Sequence, residues 1–129
     1  MAVDKQILLV DDDEFARRSL ARSCQRLGYS VEVVSSGMEA LDRLSAGSYA
    51  MLLTDVNMPG MTGDQLAAKA LDMLPNLPVV FASADPSNAV LGHPPTPARS
   101  FMPKPYQLAE LQARITAALG TSPDFQPAT

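Results

Sequence analysis

The chain has 129 residues, 47% of them hydrophobic, which is enough for one folded domain with its own core and excludes a disordered chain. Its net charge of −4 argues against direct nucleic-acid binding, and its single cysteine, Cys24, excludes an internal disulfide and a cysteine-ligated metal cluster. No apolar stretch approaches the roughly 20 residues of a membrane helix, and the start lacks a signal-peptide core, so we expect a cytoplasmic protein without membrane contact.

Short apolar runs alternate with helical patterns along the chain. Five runs have the length and composition of buried strands and are found at 7–10, 31–34, 50–54, 77–82 and 101–102. Helical patterns, with apolar residues three or four positions apart, are found at 14–27, 36–44, 62–74 and 108–119. This alternation predicts a doubly wound α/β domain, in which helices cover both faces of a parallel sheet.

Local signals mark where three of the helices begin. Asp13 is expected to be the N-cap of the first helix. The pairs Ser36 with Glu39 and Thr62 with Gln65 each match a capping box, in which each side chain bonds to the backbone N–H of the other residue. We therefore expect the second helix to begin after Ser36 and the third after Thr62.

The segment 85–99 does not follow the alternation of strands and helices, although a helix should join the fourth and fifth strands there. A glycine and three prolines between 92 and 97 restrict any helix to 86–91. We predict a shortened or broken fourth helix, followed by an extended proline-rich loop. Residues 1–120 are expected to form one domain, and 121–129, with two prolines, a flexible C-terminal tail.

Polar residues follow the apolar runs at the points where the predicted strands end. In a parallel sheet of order 2-1-3-4-5, the first and third strands are neighbours, and the carboxyl ends of the strands line one crevice. Three carboxylates, one hydroxyl and one ammonium would meet there, from Asp11, Asp12, Asp55, Ser83 and Lys104. The carboxylates would repel one another, which predicts a raised pKa for at least one of them when no metal is bound.

Asp55 is the candidate nucleophile of this crevice. A carboxylate can attack phosphorus and form an acyl phosphate, and phosphoryl transfer needs mainly positioning and neutralisation of charge. Mg²⁺ held by Asp11 and Asp12, with Mn²⁺ as an alternative, would supply that neutralisation. Lys104 could pair with Asp55 at rest and with a phosphoryl oxygen afterwards, and Ser83 could donate a hydrogen bond to another phosphoryl oxygen.

Four motifs, in order and at these spacings, make the chain resemble the receiver domains of bacterial two-component response regulators, among them the chemotaxis regulators. The resemblance covers roughly residues 5 to 120, and the motifs are Val10-Asp11-Asp12, Thr54-Asp55-Val56-Asn57-Met58-Pro59-Gly60-Met61-Thr62-Gly63, Ala82-Ser83-Ala84 and Lys104-Pro105-Tyr106. The resemblance implies a flavodoxin-like fold and phosphorylation by a sensor histidine kinase or a histidine phosphotransfer protein. The domain would then act on a downstream protein, and it would catalyse its own phosphorylation and dephosphorylation rather than the turnover of a separate substrate.

The resemblance also implies roles for single residues. Asp55 would be the phosphoacceptor and a metal ligand, Asp12 a second metal ligand, and Asp11 the partner of a metal-bound water. The other implied features are Asn57 as a metal ligand through its backbone carbonyl, Ser83 as the hydroxyl switch, Phe101 as the aromatic switch, Lys104 as the phosphate-pairing cation, and a cis bond between Lys104 and Pro105.

Two residues near the fifth strand depart from the family pattern. Phe101 stands where the family often has tyrosine, and it lacks the hydroxyl. Pro103 is unusual inside a strand and has no N–H, so we expect the fifth strand to be an edge of the sheet. Ser100 and Met102, rather than Phe101 and Pro103, are then predicted to bond to the fourth strand.

Two other functions stay open on the sequence. A pseudo-receiver would keep the fold as a protein-binding module without phosphorylation; the disrupted fourth helix favours it, and the intact acidic residues oppose it. An aspartyl phosphatase or phosphomutase would need a second aspartate two residues after Asp55, where this chain has Asn57. The arginines of the first helix are either a solvated face or a docking face for a kinase: Arg17, Arg18, Arg22 and Arg26.

Overall fold

Residues 6–84, 99–104 and 106–119 are described by the computed structural model. Several predictions lie outside these residues: the short helix at 86–91, the loop at 92–97, the isomer of the Lys104–Pro105 bond and the tail at 121–129. The extent of the domain over 1–120 likewise stays a prediction.

Among the described residues, five parallel strands form one sheet in the predicted order β2–β1–β3–β4–β5. They are β1 (Gln6–Val10), β2 (Ser30–Val34), β3 (Met51–Asp55), β4 (Val79–Ser83) and β5 (Arg99–Pro103). The predicted bounds are wrong by one residue at the starts of β1, β2 and β3 and by two residues at the starts of β4 and β5. The ends of β3, β4 and β5 lie one residue later than predicted. Val10 of β1 lies opposite Thr54 of β3, so the residues that follow these two strands meet at the same edge of the sheet.

Helices cover both faces of the sheet, as the alternating pattern predicted: α1 (Glu14–Arg26), α2 (Gly37–Ala46), α3 (Gly63–Met73) and α4 (Leu108–Leu119). Cys24 of α1 and Ile115 of α4 pack with Leu9 on one face, while Leu66 of α3 packs with Leu8 on the other. Because the central strands are buried on both faces, their sequences are continuously apolar. None of the described helices is long and apolar enough to cross a membrane.

The predicted N-caps of α1 and α3 are confirmed. The Asp13 carboxylate accepts the Ala16 N–H at 2.8 Å. Thr62 accepts the Gln65 N–H at 3.2 Å, and the Gln65 side chain accepts the Thr62 N–H at 3.1 Å, which completes a capping box. These bonds satisfy backbone donors that the first turn of a helix leaves without an intrahelical partner.

The capping box predicted for α2 is wrong in one of its two bonds. Ser36 does accept the Glu39 N–H, at 3.2 Å. The Glu39 carboxylate, however, accepts from Ser35 and not from Ser36. Ser35 offers two donors to one carboxylate oxygen, its N–H at 3.0 Å and its hydroxyl at 3.2 Å, so this arrangement makes one more bond than the box would.

The strand β5 lies at the edge of the sheet, where a proline can be accommodated. The Lys104 N–H donates to the Ser83 carbonyl at 2.9 Å, just beyond the paired residues Ser83 and Pro103. Bonds to a parallel neighbour recur at every second residue. The same alternation directs Met102 and Ser100 towards β4 and leaves Pro103 on the outer side, in agreement with the prediction.

A polar cluster that the sequence analysis missed connects β2 to α2 and to the segment before β3. The Tyr49 hydroxyl donates to Glu32 of β2 at 2.8 Å. Arg43 of α2 donates to the second oxygen of the same carboxylate. Glu32 therefore joins an edge strand, a helix and the segment that leads into β3.

Burial of Cys24 gives the first testable prediction. Its thiol has no exposed surface, and burial raises its pKa to about 12. At pH 8 the thiolate is then about a thousandfold scarcer than for an ordinary cysteine. We expect the folded protein to react with DTNB at least about a hundredfold more slowly than the same chain in urea.

The chain has one cysteine, so the absorbance of released thionitrobenzoate reports on Cys24 alone. Similar rates in buffer and in urea would contradict the packing of α1 against the sheet.

Candidate functional site

The predicted convergence of three carboxylates is observed at the carboxyl edge of the sheet. One oxygen from each of Asp11, Asp12 and Asp55 lies within 4.8 Å of the others. Asp11 and Asp12 directly follow β1, and Asp55 is the last residue of β3. Since β1 and β3 are neighbours in register, their ends deliver all three side chains to one place.

Lys104 brings a positive charge into this group from the far edge of the sheet. Its Nζ lies 3.1 Å from Oδ2 of Asp11 and 3.6 Å from Oδ1 of Asp55. Burial alone would lower the pKa of Lys104, but the Asp11 and Asp55 carboxylates outweigh burial and raise it. The ammonium therefore stays charged at neutral pH and partly offsets the repulsion among the carboxylates.

The two adjacent aspartates have different surroundings. Asp11 is 1% exposed, and both of its carboxylate oxygens are engaged: Oδ1 accepts the Asp13 N–H at 2.9 Å and Oδ2 accepts from Lys104. Asp12 is exposed, and no hydrogen bond to its carboxylate is found within the described residues. The Asp12 carboxylate is thus available as a direct metal ligand. The Asp11 carboxylate, which already bonds to the Asp13 N–H and to Lys104, is better placed to keep neighbouring groups of the site in position.

Asp55 is half-buried, and its carboxyl group has a raised pKa. Burial raises the pKa of Asp55; Lys104 opposes this effect, and the charges of Asp11 and Asp12 add to it. The contributions of Asp11 and Asp12 agree with the prediction made from mutual repulsion, but burial, which that prediction did not include, is the larger cause of the raised pKa. A cation bound among the three groups would relieve that repulsion.

Two glycines are required by the backbone geometry here, Gly60 in the loop between β3 and α3 and Gly63 at the start of α3. Gly60 has φ of +83°, in the left-handed region that other residues rarely adopt. At Gly63, whose N–H donates to the Val56 carbonyl at 2.8 Å, an added Cβ would lie 2.1 Å from the Asp55 carbonyl oxygen. The start of α3 therefore lies directly against the backbone of the candidate nucleophile.

The remaining predicted site residues differ in how deeply they are buried. Ser83 is buried at the end of β4, next to β5. Phe101 is half-buried and packs with the α2–α3 core, opposite Phe81 of β4. Asn57 is exposed in the β3–α3 loop, two residues after Asp55, and its role as a ligand through its carbonyl stays a prediction.

The donor set fits a small divalent cation. It consists of carboxylate oxygens from three side chains, with no sulfur or imidazole among the groups that the described residues bring together. Oxygen-only sites that combine few protein ligands with open positions for water suit Mg²⁺ and Mn²⁺. Asp12 and Asp55 would hold such an ion directly.

Arg17 is a member of the site that the sequence analysis did not identify. Its Nη1 donates to the backbone carbonyl of Asp11 at 2.9 Å, from the first turns of α1. In the sequence it was one of four arginines with nothing to distinguish it from Arg18. Its proximity to Asp11 depends on how α1 follows β1, which spacing alone did not reveal.

A family model for the response regulator receiver domain matches residues 7–116 of the chain. The chain belongs to this family. The match includes the three aspartates, Ser83 and Lys104, so the acidic group described above fits the phosphorylation site of a receiver.

Relatives with known names support the assignment. The receiver is 37% identical over 124 residues to response regulator MprA of Mycobacterium sp. (strain KMS), a match that covers 95% of this chain and 54% of the relative. MprA of Mycobacterium leprae is 37% identical over 121 residues, covering 92% and 53%. The chain thus spans about half the length of these relatives.

Solved structures give the same fold. The receiver domain of the hybrid histidine kinase CckA has a TM-score of 0.72 at 34% identity, covering 89% of this chain and 99% of that one. The response regulator TrrA of Thermotoga maritima, solved in complex with Mg(2+)-BeF, has a TM-score of 0.80 at 24% identity, covering 90% and 100%. At that identity TrrA supports the fold alone.

The close approach at Gly63 gives the second prediction. Gly63→Ala places a methyl group against the Asp55 carbonyl, and backbone cannot move aside as a flexible side chain could. We expect the free energy of unfolding in urea to fall by about 1–3 kcal/mol.

Gly47→Ala is the matched control, since its nearest neighbour would be an ordinary 3.5 Å contact with Tyr49. It should stay within about 0.5 kcal/mol of wild type. Equal effects of the two substitutions would show that α3 does not lie against β3 as described.

Proposed function

We propose that this receiver accepts a phosphoryl group on Asp55 from a phosphohistidine of a sensor histidine kinase or a histidine phosphotransfer protein. The observation that carries the proposal is the group of three carboxylates within 4.8 Å, with the Lys104 ammonium 3.6 Å from Asp55. A nucleophile, a counter-charge and room for a divalent cation are the components that phosphoryl transfer needs.

The site residues have different roles in this proposal, which follow from their surroundings. A carboxylate oxygen of Asp55 attacks phosphorus as the bond to the donor nitrogen breaks. Mg²⁺, or Mn²⁺ in its place, would be held by Asp12 and Asp55, with Asn57 contributing its carbonyl, and supplies neutralisation of charge on the phosphoryl oxygens. Asp11 orients water and Lys104 from its buried position.

Phosphorylation would act as a switch through the strand ends beside Asp55. The Lys104 ammonium can pair with a phosphoryl oxygen, and the Ser83 hydroxyl with another. The Lys104 N–H already bonds to the Ser83 carbonyl at 2.9 Å, so a shift at either residue is transmitted to the other. Phe101, in the strand that leads to Lys104, would change its packing in response, even without the tyrosine hydroxyl.

Other functions are less well supported. A pseudo-receiver without phosphorylation would have no use for a raised pKa at Asp55 and a paired lysine. Turnover of a separate phosphorylated substrate lacks the second aspartate at the position of Asn57. Receiver domains are generally not classical enzymes, and we propose that this one likewise catalyses only its own phosphorylation and dephosphorylation, in the cytoplasm, to control binding of a downstream protein.

Replacement of the nucleophile gives the direct test. Asp55→Asn keeps the size of the side chain and removes the attacking oxygen, so we expect no phosphoryl adduct. Intact mass spectrometry after incubation with acetyl phosphate and Mg²⁺ would show the adduct on the wild-type protein. Asp72→Asn, an exposed carboxylate at the end of α3, is the matched control and should label normally.

If Asp55→Asn is labelled to the wild-type level, the nucleophile has been assigned wrongly. If the wild-type protein is not labelled either, while omission of Mg²⁺ makes no difference, the pseudo-receiver becomes the better interpretation.

A second variant separates phosphorylation from the response to it. Lys104→Met removes the ammonium that pairs with Asp11 and Asp55. We expect Mg²⁺ binding to be retained, because a positive charge near the cation site is lost, but the conformational change after labelling to disappear.

Backbone amide spectra before and after phosphorylation measure that change. Lys69→Met, at an exposed position of α3, is the control and should respond as the wild type does. An undiminished response in Lys104→Met would remove this residue from the switch.

A further inference from the structure

The hydrogen bond from Arg17 reaches the backbone at a sensitive position. Its acceptor, the Asp11 carbonyl, belongs to the peptide unit that joins Asp11 to Asp12. A peptide unit is planar, so an atom that holds its oxygen also holds the orientation of the following N–H and Cα. Fixing the Asp11 carbonyl therefore fixes the direction from which the Asp12 side chain starts.

Other contacts hold the residues on either side of Asp12. The Asp11 N–H donates to the Val34 carbonyl at 3.3 Å, which anchors the chain to β2. The Arg17 N–H donates to the Asp13 carbonyl at 2.9 Å, in the first turn of α1. Between these anchors, the exposed Asp12 carboxylate has no hydrogen bond within the described residues, so its backbone is what orients it.

The two adjacent arginines of α1 have different surroundings. The side chain of Arg17 is half-buried, and its charge is one of the factors that lower the pKa of Glu39, after the dominant hydrogen bond from the Ser35 N–H. The neighbouring Arg18, by contrast, is exposed and pairs with Glu14 of the same helix at 3.5 Å. Two adjacent arginines thus differ in that one contacts the site and the other does not.

We infer that Arg17 is a positioning residue for the divalent cation: its guanidinium clamps the Asp11–Asp12 peptide unit so that the Asp12 carboxylate points towards Asp55. The inference rests on the proposed function, since it concerns the affinity of the same metal site. Replacement of groups that orient metal ligands from behind commonly weakens metal binding.

Charge and positioning predict opposite effects of removing Arg17. A guanidinium close to the carboxylates repels a cation, so loss of its charge alone would tighten metal binding. Loss of the clamp would weaken binding, because Asp12 must then be ordered when the metal arrives. The sign of the change therefore distinguishes a positioning role from a purely electrostatic one.

The test compares Arg17→Met with Arg18→Met in the full 129-residue chain. Both substitutions remove one arginine charge from α1 and keep an unbranched side chain. Binding of Mn²⁺ alone is measured by the loss of the free-ion electron paramagnetic resonance signal, with Mg²⁺ as a competitor. Thermal unfolding, followed by circular dichroism, checks that each variant is folded at the temperature used.

We expect Arg17→Met to bind Mn²⁺ about threefold to tenfold more weakly than Arg18→Met, as loss of one hydrogen bond implies. Affinity equal to or tighter than that of Arg18→Met, or weaker by less than threefold, overturns the inference. If Arg17→Met does not fold, Arg17→Lys is compared with Arg18→Lys under the same criterion, because lysine keeps the charge on a stem one bond shorter at both positions.

The result also separates this inference from the function on which it rests. If the wild-type chain binds Mn²⁺ and both arginine variants bind it equally, the positioning role alone is wrong. If the wild-type chain binds no Mn²⁺ at saturating concentration, the metal site of the proposed function fails, and the inference fails with it.

Discussion

Mutual repulsion of three carboxylates is the constraint on which the rest of this site depends. The order of the strands brings Asp11, Asp12 and Asp55 together, and nothing in their own chemistry favours that closeness. Lys104 offsets part of the cost by pairing with Asp11 and Asp55. Burial raises the pKa of Asp55, and the charges of Asp11 and Asp12 add to this effect. The negative charge that Lys104 does not offset creates an affinity for a cation, so the repulsion that destabilises the resting site also prepares it for a metal and a phosphoryl group.

The site resolves this constraint by giving adjacent residues different environments. Asp11 is buried with both oxygens engaged, whereas Asp12 is exposed and available as a ligand. The difference comes from alternation along the chain as it leaves β1, which directs successive side chains to different sides. Gly63 contributes in another way, since α3 can approach the Asp55 carbonyl only because no side chain lies between them. Backbone packing therefore shapes the site as much as charge does.

Local signals were read correctly where their partners are near in sequence. The cap by Asp13 and the box of Thr62 and Gln65 involve residues three positions apart, and both formed as predicted. At Ser36 the same spacing predicted one bond that does not form. The Glu39 carboxylate accepts instead from the N–H and the hydroxyl of Ser35, a residue that the motif does not include. The hydrogen bond from Tyr49 to Glu32 joins residues seventeen positions apart, and no local sequence pattern indicates it.

The sequence by itself determined the doubly wound fold, the strand order and the convergence of three aspartates and Lys104, because apolar periodicity dictates which segments are buried and parallel strands must end at a common edge. Only the tertiary structure decided which hydrogen bonds and ion pairs each of those groups makes. It selected Asp11 for the buried position, placed Lys104 between two carboxylates, and brought Arg17 rather than Arg18 onto the Asp11 carbonyl. Those choices depend on how α1 packs against the sheet and on where β5 lies at its edge, which many residues determine together.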